Sequence, residues 1–251
     1  EHFRRADSAT IPSLRQCSNV SCKHKRHVMK LTSILILTIT FFLNSYAQTS
    51  KHDTFEGTIT YKIIVTTKTD NANYNDYQTQ KYGDKVKLTI AKNGSFRRDF
   101  LTSGQKGFEF FIYNASTNKC FTKWRNIDTT YSSSCIENSL TLVSENDLSS
   151  QNVFGQLCKG YFISGVDPRS GQQVSFTYFY PKDREYIDPT LYKDYKDGFY
   201  NKVIEKMKAP FYKFIMDMGK YIVTFEIEKI ENTNANSDII NLKTNIPIKE
   251  M

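Results

Sequence analysis

Downstream of residue 47, the side chains whose types could support a reaction are three cysteines, Cys120, Cys135 and Cys158, and three closely spaced carboxylates, Asp183, Glu185 and Asp188. A thiolate nucleophile of the usual kind needs an imidazole beside it as base. The stretch from Gln48 to Met251 contains one histidine, His52, in a polar segment. That count also disfavours a Ser-His-Asp triad and the histidine-containing zinc centres common in hydrolases. Two carboxylates alone can cleave a glycosidic bond, which keeps Asp183 and Glu185 in view as a carboxylate-dependent hydrolase site. Both have basic neighbours, and carboxylates on a polar turn are ordinarily solvated; Asp188 precedes Pro189 and suits a helix cap. With no phosphate-binding or dinucleotide glycine motif present, the expectation is a non-enzymatic chain without catalytic residues, metal or cofactor.

The cysteines then read as structural. Cys120 and Cys135 fall on segments expected to be neighbouring strands, where a bridge closing a loop of about 15 residues contributes about 3 kcal/mol. Cys158 is left over and behaves as a small apolar residue. Such pairing requires an oxidising compartment, and the N-terminal region supplies the route to one. Lys23, Lys25, Arg26 and Lys30 precede an uncharged run from Leu31 to Leu43. That run is too short to span a bilayer, which takes about 20 apolar residues, and it matches the apolar core of a secretory signal. Ser45-Tyr46-Ala47 offers a small-x-small cleavage site.

Residues 1–28 are therefore expected to be an unstructured leader, 29–47 a signal peptide, and 48–251 a single antiparallel-sheet domain that is exported to the periplasm or secreted. Within the leader, Cys17, Cys22, His24 and His27 carry zinc-ligand chemistry, but the pairs stand too close for a finger. The segment 1–47 also carries +5 of the net charge of +8. The remaining +3 is spread among alternating acids and bases, as in Lys182-Asp183-Arg184-Glu185, with no basic stripe of the kind that tracks phosphates. Nucleic acid is not an expected partner.

The elements that would position these residues are mostly strands. Phe55, Gly57, Ile59, Tyr61, Ile63 and Val65 alternate with polar residues, and Val86, Leu88 and Ile90 do the same before an Asn93-Gly94 hairpin turn and a return over Phe96–Leu101. Phe108, Phe110 and Ile112 are expected on one face of the next strand, with Cys120, Thr122 and Trp124 on one side of its successor and Ile127–Cys135 running back. Residues 70–84 read as a loop and Ser144–Asn152 as a polar stretch. Leu157–Ser164 and Gln173–Tyr180 form a hairpin. Leu191, Tyr195, Phe199, Val203 and Met207 recur every four residues, predicting a helix of about five turns from Asp188-Pro189 to Ala209-Pro210, weakened at Gly198. Tyr221–Ile227 gives a further strand and Ile246-Pro247-Ile248 a short edge strand. Asn93-Gly94-Ser95 and Asn114-Ala115-Ser116 match the glycosylation pattern but coincide with turns. The fold class is α+β, one antiparallel sheet with one main helix.

The string Phe154-Gly155-Gln156-Leu157-Cys158-Lys159, followed by Tyr178-Phe179-Tyr180 and Ile187-Asp188-Pro189-Thr190-Leu191-Tyr192, resembles the exported GLPGLI-type proteins of Gram-negative envelopes, as does the opening Glu56-Gly57-Thr58-Ile59-Thr60-Tyr61. The GLPGLI string itself is absent. The resemblance implies a lipoprotein-carrier (LolA-like) layout, in which a curved half-barrel sheet packs over a helix and can enclose acyl chains. On that layout Tyr61, Phe110, Trp124, Phe176 and Tyr178 form a candidate apolar ligand face. The partner would be a lipid or lipidated protein, and the alternative is an envelope module that meets another protein. The same rings can instead fill the core.

Overall fold

A computed structural model describes residues 53–235, Ile240, Leu242 and 246–251. The expected leader, signal peptide and cleavage site, the Cys17, Cys22, His24 and His27 set, and His52 lie outside the described residues.

Twelve strands form one open, curved sheet: β1 (Gly57–Thr67), β2 (Lys85–Ile90), β3 (Phe96–Phe100), β4 (Phe108–Asn114), β5 (Lys119–Trp124), β6 (Thr130–Ser134), β7 (Thr141–Val153), β8 (Gln156–Val166), β9 (Gln173–Pro181), β10 (Lys213–Asp217), β11 (Tyr221–Asn232) and β12 (Ile248–Glu250). Their order is β12-β6-β5-β4-β3-β2-β1-β11-β10-β9-β8-β7. Neighbours pair antiparallel except β12, which lies parallel to β6. The chain thus meanders outward from β1 to β6, restarts at the far edge with β7, and returns through β10 and β11 to close on β1. This is the expected α+β class with a curved, mainly antiparallel sheet.

The register sorts the side chains into two faces, because directly opposed residues point the same way. One face carries Ile59, Tyr61 and Ile63 of β1, Val86, Leu88 and Ile90 of β2, Phe96 and Arg98 of β3, Tyr221–Ile227 at alternate positions of β11, Phe214 of β10, Phe176 and Tyr178 of β9, and Tyr161 and Ile163 of β8. It holds the main core, in which Ile59, Tyr61, Phe96, Tyr113, Ile163 and Val223 are at most 1% exposed.

Several expectations are corrected. Residues 70–84 hold a helix, α1 (Ala72–Tyr82), capped by the Asn71 side chain, which accepts from the Tyr74 N–H. Gly83 ends it at φ 69°, a left-handed value that suits glycine. It buries just Gln78 and Tyr82, so no apolar stripe marked it. Ser144–Asn152 belongs to β7, an edge strand exposed along its whole length up to Val153. β10 had no counterpart in the sequence reading. The five-turn helix is instead two short 3-10 turns, Pro189–Tyr192 and Asp197–Phe199, followed by α2 (Tyr200–Met207). Gly198 (φ 60°) and Phe199 (φ 61°) are both left-handed and break the helical run. Asp188 does cap the first turn, accepting from the Thr190 N–H.

Candidate functional site

The concave interior is built by the sheet from below and by residues 189–207 from above. From the latter, Tyr192, Tyr195, Phe199, Val203, Ile204 and Met207 are buried, so most of the predicted apolar stripe does face the core although the helix is broken. Phe96 is the hub, with ring centroids 6.2 Å from Tyr195 and 5.7 Å from Tyr200. Tyr113 stacks on Tyr195 at 4.4 Å. On the other half of the sheet Tyr178 stacks on Phe214 at 4.6 Å, and Tyr61 on Phe211 at 4.9 Å. The Tyr61 hydroxyl donates to the Phe211 carbonyl. Gly165 on β8 gives Phe199 room, since a Cβ there would stand 2.8 Å from its ring.

Tyr61, Phe176 and Tyr178 sit together on this face, as the sequence suggested, but buried: Tyr61 is 1%, Tyr178 4% and Phe176 9% exposed. Trp124 is on the same face but at a distance, half-buried against Phe108 at 4.3 Å, where Lys81 of α1 lies over both rings. Phe110 does not belong with them. An irregularity between Phe108 and Phe110 shifts the pairing of β4 with β5, as a bulge does, so Phe108 points into the main core while Phe110 and Ile112 point to the opposite face. There they pack with Ala91, Ala235 and Ile240. The expected common face of Phe108, Phe110 and Ile112 is corrected for the same reason.

The concave face also carries a positive charge. Arg98, half-buried on β3, opposes Leu88 on one side and Phe111 on the other. Its guanidinium lies 5.2 Å from the Phe96 ring centre and 5.7 Å from that of Phe111. Among the described residues no carboxylate forms an ion pair with it. Burial pushes the phenols of Tyr61, Tyr178, Tyr195 and Tyr200 up, Tyr200 to about 12, while the Arg98 charge opposes that rise in all four. Arg98 is therefore the cation at the centre of the tyrosine cluster. It also lines a small cavity with Tyr61, Val86, Leu88, Phe211, Phe214 and Phe225 of about 10 Å³, roughly what one water molecule needs. The open apolar hollow implied by the carrier layout is absent from this cavity: the rings fill it by packing on one another.

Sequence reasoning missed Arg98 because Arg97-Arg98-Asp99 reads as a solvated charged run. The signal was its register: it is two residues from Phe96 and two from Phe100, on the apolar side of the pleat. Asp183 and Glu185 line a different cleft of about 510 Å³ with Lys159, Lys182, Arg184 and Lys208. The Tyr212 hydroxyl donates to Glu185 at 2.9 Å, which gives that carboxylate a structural partner. Cys120 and Cys135 are joined as a disulfide, as expected. Cys158 is free and buried, its thiol pushed up by burial, as suits an inert packing residue. Asn93 and Asn114 each accept backbone N–H bonds within their own turns, Asn93 from Ser95 and Asn114 from Ser116. Among the described residues no cluster of His, Cys, Asp and Glu could hold a metal ion.

No family model matches the chain, and no curated protein matches it. Among solved structures it is similar to the lipoprotein LppX of Mycobacterium tuberculosis, at 8% identity and a TM-score of 0.35 over 72% of this chain and 89% of that one. It is also similar to LprF of Mycobacterium bovis, at 11% identity and a TM-score of 0.31 over 72% and 90% of the two chains.

Proposed function

We propose that this chain is an exported, non-catalytic binding protein. It takes an amphipathic molecule with an acidic head and an apolar chain, a lipid or lipidated polypeptide, between its concave face and residues 189–207. The observation that carries this reading is Arg98. A cation partly withdrawn from water gains from a counter-charge, and its contacts with Phe96 and Phe111 supply a fraction of that. A carboxylate or phosphate head would complete the pair, while Tyr61, Tyr178, Phe211 and Phe214 would flank its chain. Because the cavity is small, entry requires the overlying segment to move. The left-handed pair Gly198-Phe199, at the junction of the short turns and the helix, is where that segment would bend. The GLPGLI-type resemblance of Phe154–Lys159 and Ile187–Tyr192 supports the exported setting.

Fluorescence titration with a dansylated fatty acid and with its methyl ester tests this. The acid is expected to bind, and Arg98→Met to weaken it about tenfold or more, the scale of one charge-assisted hydrogen bond; the ester should be insensitive to that change. A protein that takes up neither, or that binds acid and ester alike, would sink the proposal. A second reading, an envelope module that meets another protein, is favoured by β7, whose exposed edge can receive a strand from a partner. Capture of one stoichiometric protein, abolished by Leu148→Pro, would favour it over ligand binding.

A further inference from the structure

The turn between β7 and β8 is chemically out of place. Asn152 opposes Leu157 and Val153 opposes Gln156, leaving a two-residue loop of Phe154 and Gly155. Both have positive φ, 52° and 69°. Such loops favour Asn or Asp at the first central position, because a short polar side chain tolerates left-handed backbone. An aromatic side chain there carries a strain cost, and backbone strain of this kind gathers where function over-determines it. Phe154 is also 51% exposed and Leu157 68% exposed. The turn and the start of β8 thus present two large apolar side chains to water. Its surroundings carry a net positive charge, with Asp183 and Glu185 set among more numerous bases. Leu157 runs into Cys158 and Lys159, and Cys158 opposes Pro181, which brings the 182–186 loop beside the turn. Phe154 touches Tyr212 edge-on at 6.2 Å, and Tyr212 binds Glu185 in that loop. Lys159, Lys182, Arg184 and Lys208 line the adjoining cleft and are exposed. None forms an ion pair among the described residues, whereas Lys206 beside them is held by Asp147 at 2.8 Å.

From this juxtaposition we infer that the β7–β8 turn is a docking tip for an anionic bilayer surface. Phe154 and Leu157 enter the boundary between head groups and acyl chains, and Lys159, Lys182, Arg184 and Lys208 lie against the lipid phosphates. Apolar side chains flanked by cations are the pattern by which proteins lie on membranes, with basic side chains each contributing near an anionic surface. Charge complementarity selects the occupant: four exposed bases outside any ion pair outnumber Asp183 and Glu185, and an apolar protein patch would not need that excess. This docking is independent of what the interior binds.

The test places a reporter at the tip. In the full chain carrying Trp124→Phe, Phe154→Trp makes the turn the one source of indole fluorescence, since Trp124 is the sole tryptophan of the sequence. Vesicles of phosphatidylglycerol and phosphatidylcholine are expected to shift its emission to the blue and to allow quenching by brominated acyl chains; pure phosphatidylcholine should give a response at least tenfold weaker. Replacing Lys182, Arg184 and Lys208 by Gln should abolish the selectivity for the anionic vesicles. Phe154→Asn should cut site-dependent vesicle partition about tenfold while raising the melting temperature, because it relieves the turn. That opposite movement separates lost docking from lost folding. An indole that stays water-exposed with anionic vesicles, equal response to both lipids, or undiminished partition of Phe154→Asn would each overturn the inference. Loss of fatty-acid uptake in Arg98→Met with tip insertion intact would leave it standing.

Discussion

β1 and β7 lie in the same sheet and are of similar length, yet they are held by different forces. β1 has a paired strand on each side and buries Gly57, Ile59, Tyr61 and Ile63 in strict alternation, whereas β7 pairs with β8 alone and buries Val153 only. At the centre, stability comes from buried side chains packed on one another, Tyr61 on Phe211 among them. At the edge it comes from the backbone ladder and a few surface ion pairs, Lys202 to Glu145 and Lys206 to Asp147, each worth little. A region that contributes little packing is free to carry side chains chosen for encounters, and the exposed residues Leu142, Val143, Leu148, Phe154 and Leu157 all belong to the β7–β8 hairpin.

The contrast can be broken first at its strongest point. Phe96→Ala removes the hub of the ring cluster and is expected to cost about 3–5 kcal/mol, read by chemical denaturation. A loss under about 1 kcal/mol would mean the centre is no more packed than the edge. A middle-sized effect follows from alkaline pH. Burial raises the Tyr113 phenol to about 12, with Asp194 and Tyr200 adding to it, and the Tyr200 phenol to about 12, with Arg98 opposing. An unfolded tyrosine ionises near pH 10, so the stabilisation these neutral phenols provide is complete below pH 10 and is lost as pH rises toward 12. Each contributes about 1.4 kcal/mol per pH unit of separation, and phenolate absorbance should rise together with unfolding. The smallest effect sharpens the other side: Leu148→Ser, on the exposed edge, is expected to change stability by less than about 0.5 kcal/mol in the same denaturation experiment.

The centre was also the legible part. Alternation at Ile59, Tyr61 and Ile63, or at Val86, Leu88 and Ile90, is the direct print of a buried face, and the Asn93-Gly94 turn fixed where the chain reverses. β7 left no such print because none of Ser144–Asn152 packs on anything that selects residue type. α1 escaped for a related reason: its two buried residues are a glutamine and a tyrosine, and its signs were the caps, Asn71 and Gly83. At 189–207 the spacing of Tyr195, Phe199, Val203 and Met207 identified the buried side chains correctly, while backbone φ at Gly198 and Phe199 broke the helix that the spacing implied. Within the site, Cys120 and Cys135 could be paired from strand order. Phe110 was misassigned because one irregular residue in β4 inverts everything before it, and periodicity counts cannot see such a step.

The short β12 gives the sheet a polarity between its two ends. Where Thr130 donates to the Pro247 carbonyl and Met251 to Ser132, three residues of parallel chain occlude the β6 border. That leaves a 13-residue border at β7 against a three-residue one opposite. Two copies of this molecule can share long borders only by meeting β7 to β7, a twofold arrangement that consumes both and stops. Cutting away residues 246–251 would uncover β6 and give each copy a second joinable border, so that edge pairing would no longer have to stop at two copies.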